Sequence, residues 1–439
     1  FSDGTVQIGS FQPMTAAMQA DFKVEGGKVV FDRLALQTDG ADSQLTGAVD
    51  LENWPEQTYA VRSDADFPVL RDIFFADDPF TVGGAGVFEG NYHLYEGGYD
   101  LRGGFQSELM TLNDHPFPEL SGSLHWRRDG FDVFDGASAF HDGLLEFDYA
   151  LTSADLPDGN TARFDATYRD VDLASLTDEL ALAGVRLDGR ATGWNRMSWE
   201  RGRFSDLQGD GRLDATPREG VRLQREIRRG AIAAAVPGAV LSAAPPPFRR
   251  LSVGGSVEYA LEPEWIELAP GSWVATPQSH IAFEGRTAYG GDSEIPFHVT
   301  SADWQESDQI LAGLVTAFGR PTHEVEIAGV GTFDGVMRGP FSSPRVDGLF
   351  AANDLRLWDV TWGEWRGDVI VEDGYVDIAD GRVVGDGSDI TLDGRFAFSY
   401  PRPDDGEEIN ATFQITDRPA TDFLAAFDQT DYQVDGLVS

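Results

Sequence analysis

Cysteine is missing from all 439 residues, and lysine occurs only as Lys23 and Lys28. The first absence rules out disulfide staples and thiolate metal sites. The second belongs to a wider imbalance, 74 acidic against 33 basic residues and a formal net charge of −41. A nucleic-acid duplex or an anionic bilayer surface repels such a chain, so no nucleic-acid partner is expected. The acidity reads as a solvated outer sheet face or as adaptation to a saline habitat. Long apolar runs are also lacking. No stretch approaches the roughly 18 apolar residues of a spanning helix, and no signal peptide is visible. Phe1 is not an initiator methionine and Ser439 stops inside a strand-like phrase, so the sequence reads as a segment of something longer, with any membrane anchor outside it.

Catalytic signatures are lacking too. There is no P-loop, no Gly-x-Ser-x-Gly elbow and no His-Glu-x-x-His motif. His323-Glu324 runs on into Val325-Glu326-Ile327, which breaks zincin spacing. The other histidines, 93, 115, 125, 141, 280 and 298, are scattered without ligand spacing and read as strand or surface residues. Acidic turns at Asp39-Gly40-Ala41-Asp42 and Asp386-Gly387-Ser388-Asp389 offer oxygens for calcium, but no full ligand set recurs, so hairpin chemistry is the simpler reading. Gly83-Gly84-Ala85-Gly86 has no helix behind it and is no phosphate loop. No catalytic residue, cofactor or metal is expected, and the chain is not read as an enzyme.

What is present is alternation. Fifty glycines and 22 prolines accompany 41% hydrophobic residues, the composition of a turn-rich folded chain. Gly374 to Tyr400 places Ile390, Leu392, Gly394, Phe396, Phe398 and Tyr400 on one strand face and Asp389, Thr391, Asp393, Arg395 and Ser399 on the other. Asp380-Gly381 and Asp386-Gly387 carry hairpin-turn chemistry. The same phrase returns three times, ending on Leu45, Gly47, Val49 and Leu51, on Leu145, Phe147, Tyr149 and Leu151, and on Ile281, Phe283, Gly285 and Tyr289. Glycine at an inward position marks a bend or a close backbone approach.

Four junctions punctuate these strands. Each turns helical after an aspartate, at Asp66, Asp172, Asp303 and Asp417, and each is followed by an apolar-acid-glycine phrase: Phe88-Glu89-Gly90, Leu187-Asp188-Gly189, Phe333-Asp334-Gly335 and Val434-Asp435-Gly436. The division this predicts is a partial unit over 1–65, units over 66–171, 172–302 and 303–416, and the start of another over 417–439. A helical insertion is expected at about 219–244, where Arg222, Arg225, Arg228 and Arg229 precede a small-residue apolar stretch.

Strands of eight to ten residues span roughly 30 Å, and their summed oily faces exceed what a soluble monomer exposes. Two packed sheets, a closed barrel or a long trough would each answer that demand. Continuous repetition without linkers favours the trough. The expected fold is mostly β, an elongated, curved antiparallel sheet of repeated β-groove units with short crossing helices at the unit boundaries. The residues expected along its greasy wall are Leu45, Val49, Leu51, Phe88, Tyr92, Leu145, Phe147, Tyr149, Ile281, Phe283, Phe333, Met337, Ile390, Leu392, Phe396 and Phe398.

The phrases Thr276 to Ala288, Asp386 to Phe398 and Leu187 to Gly193, with the Asp-led junctions at Asp172 and Asp417, resemble the AsmA-like proteins, above all the translocation and assembly module (TamB) family. That resemblance implies an open, taco-like trough of stacked β-groove units in a protein anchored in the inner membrane and reaching through the periplasm. It implies bridge-like phospholipid transfer between inner and outer membranes, support of outer-membrane protein assembly, and a TamA-like β-barrel partner reached through parts not contained here. Phospholipid acyl chains are the expected cargo. The competing reading is a structural or adhesive β-repeat protein with a self-filled core and no cargo.

Overall fold

The computed structural model describes residues 1–439 apart from 3, 8–11, 77–79, 154–158, 180–185, 228–249, 289–290, 318–325, 341–342, 358–359, 386, 398–405, 407, 427–428, 430 and 432–433. The chain is mostly β. In order the elements are β1 (Gly4–Val6), β2 (Met14–Glu25), β3 (Lys28–Thr38), β4 (Ala41–Asp50), β5 (Gln57–Asp66), α1 (Phe67–Phe74), β6 (Val82–Tyr95), β7 (Gly98–Leu112), β8 (His115–Arg127), β9 (Gly130–Phe140), β10 (Gly143–Thr152), β11 (Thr161–Asp172), α2 (Leu173–Glu179), β12 (Arg186–Asp188), β13 (Arg190–Glu200) and β14 (Arg203–Thr216). There follow β15 (Arg250–Ser252), β16 (Gly254–Leu261), β17 (Trp265–Ala275), β18 (Ser279–Ala288), β19 (Ser293–Ser301), α3 (Trp304–Ala317), β20 (Ala328–Gly339), β21 (Arg345–Leu357), β22 (Val360–Glu372), β23 (Tyr375–Gly385), β24 (Ser388–Ala397), β25 (Ile409–Thr416), β26 (Arg418–Pro419), α4 (Ala420–Ala426) and β27 (Leu437–Val438).

Among the described residues, 23 strands belong to one antiparallel sheet. Among the described residues β1 pairs with β2 and β25 with β24. Two compact units divide the chain, Phe1–Val171 with Thr192–Gly211, and Asp172–Ala191 with Arg212–Ser439. In the first, β2 to β11 pair in chain order. In the second, β16 to β25 do the same.

Helices α1 and α3 do not carry the chain to a distant strand. Although α1 stands between β5 and β6, and α3 between β19 and β20, both pairs of strands are direct neighbours. The chain leaves the ladder, makes a short helix and returns one strand further on. Aspartate starts three of these excursions because its carboxylate accepts an orphan N–H of the first turn. Asp66 accepts from Val69 N at 3.2 Å, Asp172 from Ser175 N at 2.8 Å and Asp303 from Gln305 N at 3.1 Å. Pro68 occupies the first turn of α1, where no N–H is needed. Asp417 differs, accepting from the Ser439 hydroxyl at 3.1 Å.

Three local expectations are corrected. Asp380-Gly381 is not a hairpin turn but a bulge inside β23, with the register shifting between Ile378 and Gly381. Asp380 has φ 50° and its N–H donates to Asp393 Oδ1 at 2.9 Å. Asp135 in β9 repeats the device, with φ 52° and its N–H on Asp148 Oδ1 at 3.1 Å. The hairpin turns are supplied instead by pairs such as His141-Asp142 and Asp373-Gly374, both residues of each pair at positive φ. Second, only two of the four apolar-acid-glycine phrases lie in long strands of the large sheet. Leu187-Asp188-Gly189 reaches a three-residue strand paired in parallel with β15, and Val434 to Gly436 precedes β27 as a loop. Gly189 and Gly436 sit at φ 151° and 149°, far from strand backbone. Third, residues 221–227 of the expected helical insertion carry no helix; the remainder, 228–244, lies outside the described residues.

Candidate functional site: an apolar sheet face

Register, rather than any single residue, builds the candidate site. Residues directly opposed across antiparallel strands share a face, so the pairings trace rows across each unit. In the first unit one row runs Phe22, Phe31, Gly47, Tyr59, Tyr92, Leu101, Trp126, Phe131, Leu151, Ala162, from β2 to β11. Beside it runs Ala20, Leu34, Leu45, Val61, Gly90, Gly103, Leu124, Val133, Tyr149, Phe164. Twenty positions in a row-by-row walk contain no charge.

The second unit is built alike. One row reads Ile295, Met337, Val346, Val371, Val376, Phe396, Ile409. Another reads Phe283, Phe297, Gly335, Gly348, Val369, Ile378, Gly394, Ala411. At the opposite end of the same strands lie Ala352, Trp365, Val383, Ile390 and Ile415.

Of the residues expected along the wall, Leu45, Val49, Phe88, Tyr92, Leu145, Phe147 and Tyr149 fall on this face in the first unit, and Ile281, Phe283, Phe333, Met337, Ile390, Leu392 and Phe396 on that of the second. Leu51 does not join them: β4 ends at Asp50, and Leu51 is 50% exposed in the following turn, its N–H held by the Gly27 carbonyl. Phe398 lies outside the described residues. The face also includes Phe105, Leu101, Trp126, Val346 and Val371, which the repeated phrases do not contain. Their alternation was visible, but only the pairing register joins them to the rest.

Glycines in these rows act as seats for rings. A Cβ on Gly47 would lie 2.7 Å from the Tyr59 ring, one on Gly136 2.7 Å from Phe147, and one on Gly335 2.8 Å from Phe297. Aromatic side chains therefore lie down over neighbouring glycines instead of standing clear of the sheet. The backbone approaches closely as well, with Thr58 O only 2.0 Å from the Cβ position of Gly47.

The helices cover part of the face. Phe67 of α1 lies over Gly86, Ile73 is buried, and the Phe74 ring meets Trp126 edge-on at 5.3 Å. In the second unit Trp304, at the start of α3, packs on Phe350 at 4.7 Å, and Phe423 of α4 meets Trp362 at 6.0 Å. Burial follows these helices. Ile390, near α3 and α4, is 3% exposed, whereas Met337, Val346, Val371, Val376 and Phe396 are half-buried and Ile409 is 52% exposed.

The other face is wet and salt-bridged. Arg62 pairs with Glu89, Arg169 with Glu146, Arg345 with Asp347 and Glu372, Arg382 with Asp389, and Arg395 with Asp377. One patch of it is covered by residues 221–227. Leu223 sits over Gly254, Gln224 N–H donates to Thr276 O, and fully buried His298 donates through Nε2 to Ile227 O at 2.7 Å while its Nδ1 faces Asp334 at 2.8 Å.

Hydrogen bonds from Arg395, Arg382 and Arg212 hold the carboxyls of Asp377, Asp389 and Asp214 below the usual 3.8. A depressed carboxyl contributes stability that is present above its unfolded value and lost as pH falls through the folded one. Relief of the acidic excess acts in the opposite sense down to the isoelectric point near 4.3. The urea midpoint should therefore hold or rise towards pH 4.3 and drop below pH 3.8. The drop should be shallower in Asp389→Asn, as fluorescence-monitored unfolding at each pH would show.

Among the described residues no group of three or more histidine or acidic side chains is placed to hold a metal, and no helix is long and apolar enough to cross a membrane. Compared with known proteins, the chain matches no family, no curated protein and no solved structure.

Proposed function

We propose that the apolar face of each unit holds phospholipid acyl chains, and that the chain is a segment of a bridge-like lipid-transfer protein. The observation that carries this reading is the set of uncharged rows crossing ten successive strands in the first unit and seven or eight in the second, with much of their surface half-buried rather than sealed. Each methylene exposed to water costs about 0.8 kcal/mol, so a chain leaving a bilayer needs a continuous apolar surface to lie on. Rows of similar residues on successive strands provide equivalent positions, so displacement along them is nearly level in free energy. Headgroups stay with water at the margins of the face, and no catalyst is required.

The likeness to the AsmA-like and TamB proteins supports the setting: an inner-membrane-anchored protein of the periplasm that feeds the outer membrane and supports its protein assembly with a TamA-like partner. Extraction of the purified chain followed by mass spectrometry tests the core of the reading. Phospholipid in at least equimolar amount is the expected result. A folded preparation free of lipid would favour a structural β-repeat protein whose rings and helices fill its own face.

A further inference from the structure

We propose that Tyr92 and Tyr99, with Tyr59 and Gln57 behind them, form a polar station in the apolar face of the first unit that hydrogen-bonds the ester carbonyls of an acylglycerol lipid. This rests on the lipid reading above and narrows it to ester-linked chains. The four residues occupy adjacent positions on the same face of β5, β6 and β7. Tyr59 opposes Tyr92, Gln57 opposes Leu94, and Leu94 in turn opposes Tyr99. The rings of Tyr59 and Tyr92 stack at 6.5 Å. Around them the wall is hydrocarbon: Val49, Val61, Leu94 and Leu101.

Hydrogen bonding separates the three phenols. Tyr59 donates to Gln57 Oε1 at 3.0 Å, which satisfies its hydrogen within the wall. Tyr99 meets the Trp126 indole edge-on at 5.8 Å, and its own hydrogen finds no acceptor among the described residues. Tyr92 has no hydrogen-bond partner among the described residues, and its hydroxyl is not closed off from solvent. A phenol is favoured where an apolar body must carry one polar tip. Burial pushes all three phenols above the usual 10.0, which keeps them as neutral donors.

Of the parts of a glycerolipid, the ester carbonyl fits this site. It accepts hydrogen bonds only, carries no charge to desolvate, and sits where the acyl chains begin. The chains would lie on the rows to either side. A bare hydrocarbon or ether-linked chain leaves the two donors unmatched.

The test uses the whole chain and two short-chain phosphatidylcholines below their micelle concentrations, one with two ester linkages and its diether counterpart. Binding is read by the fluorescence change of the tryptophans. The wild type should bind the diester roughly five- to tenfold more tightly than the diether, the effect of one or two hydrogen bonds. Tyr92→Phe and Tyr99→Phe, which keep the rings, should each shrink that ratio, and together bring it to about one. Equal affinities in the wild type overturn the station, as does a preference that survives both substitutions. Failure to bind either lipid overturns the lipid reading itself, a result distinct from equal binding of both.

Discussion

Met337→Glu should strip the chain of bound lipid while leaving the ladder of the second unit assembled. Met337 lies on β20 between Ile295 on β19 and Val346 on β21, inside the seven-residue apolar row whose five middle residues are half-buried. Its sequence neighbour Arg338 points to the other face, where it pairs with Asp347, so no cation stands ready to neutralise the new carboxylate. With the face empty the carboxylate can reach water, and folding should lose only about 1–3 kcal/mol. With an acyl chain laid over it, that water is expelled and the ion is left unpaired against hydrocarbon, which is far more costly. A drop of tenfold or more in phospholipid per chain is the expected outcome of extraction and mass spectrometry. Phe396→Glu, two strands of the same row away from Val371, should behave in the same way. Thr391→Glu adds the same charge to the opposite, exposed face and should leave lipid content unchanged. Lipid retained in full by Met337→Glu, with circular dichroism unaltered, would sink the groove reading.

Gly331→Val should severely damage the fold. Gly331 opposes Ser301 on β19 and Ala352 on β21, and Ala352 is completely buried. A Cβ built on Gly331 would stand 1.9 Å from Ala351 O and 2.8 Å from Ala352 Cα. Both obstacles are backbone, so no rotamer change relieves them and the ladder itself must part. Overpacking typically costs about 1–3 kcal/mol, and a backbone clash puts this change at the upper end of that range. It also falls beside the cluster of Trp304, Ala352, Trp365, Val383 and Ile390, so α3 should loosen with the strands. Thermal unfolding is expected at a markedly lower temperature, with much of the chain recovered as aggregate. Gly104→Ala is the matched control: its Cβ meets nothing closer than Gly122 O at 3.7 Å, so stability should stay within about 1 kcal/mol of wild type.

The Met337 and Gly331 substitutions act on different levels of the molecule. The first concerns what the apolar face does, and the second how the strands come close enough to make one. They meet at the glycines. In the sequence, inward glycines such as Gly47 and Gly394 mark places for a bend or a close approach. The structure shows the close approach, with a Cβ on Gly394 falling 2.4 Å from that of Ala411. It also adds the rings lying over Gly47, Gly136 and Gly335, which alternation cannot show because the ring and its glycine are on different strands.

Strand content and face polarity were legible in the sequence because side chains alternate with period two, and that period is carried by each strand alone. The Asp-led starts of α1, α2 and α3 were legible for a similar reason, since a cap needs only the two or three residues that follow it. The bulges at Asp135 and Asp380 were not legible. Asp-Gly chemistry serves a turn or a bulge equally well, and the partner that decides between them, Asp148 or Asp393, stands 13 residues away. Nor could sequence show that Leu51 falls beyond its strand, or that the segment after Gly220 is held to the sheet by Thr276, Thr300 and His298.

The amino-acid order by itself determined that this is a strand-rich, cysteine-free, acidic chain with one oily and one wet side to each strand. Tertiary structure alone decided which oily residues stand in line, which of them the helices cover, and where phenols interrupt the hydrocarbon. The reason is physical: alternation is a local property of backbone geometry, whereas a row exists only when hydrogen bonds between strands set their register, and those contacts join residues far apart in the chain.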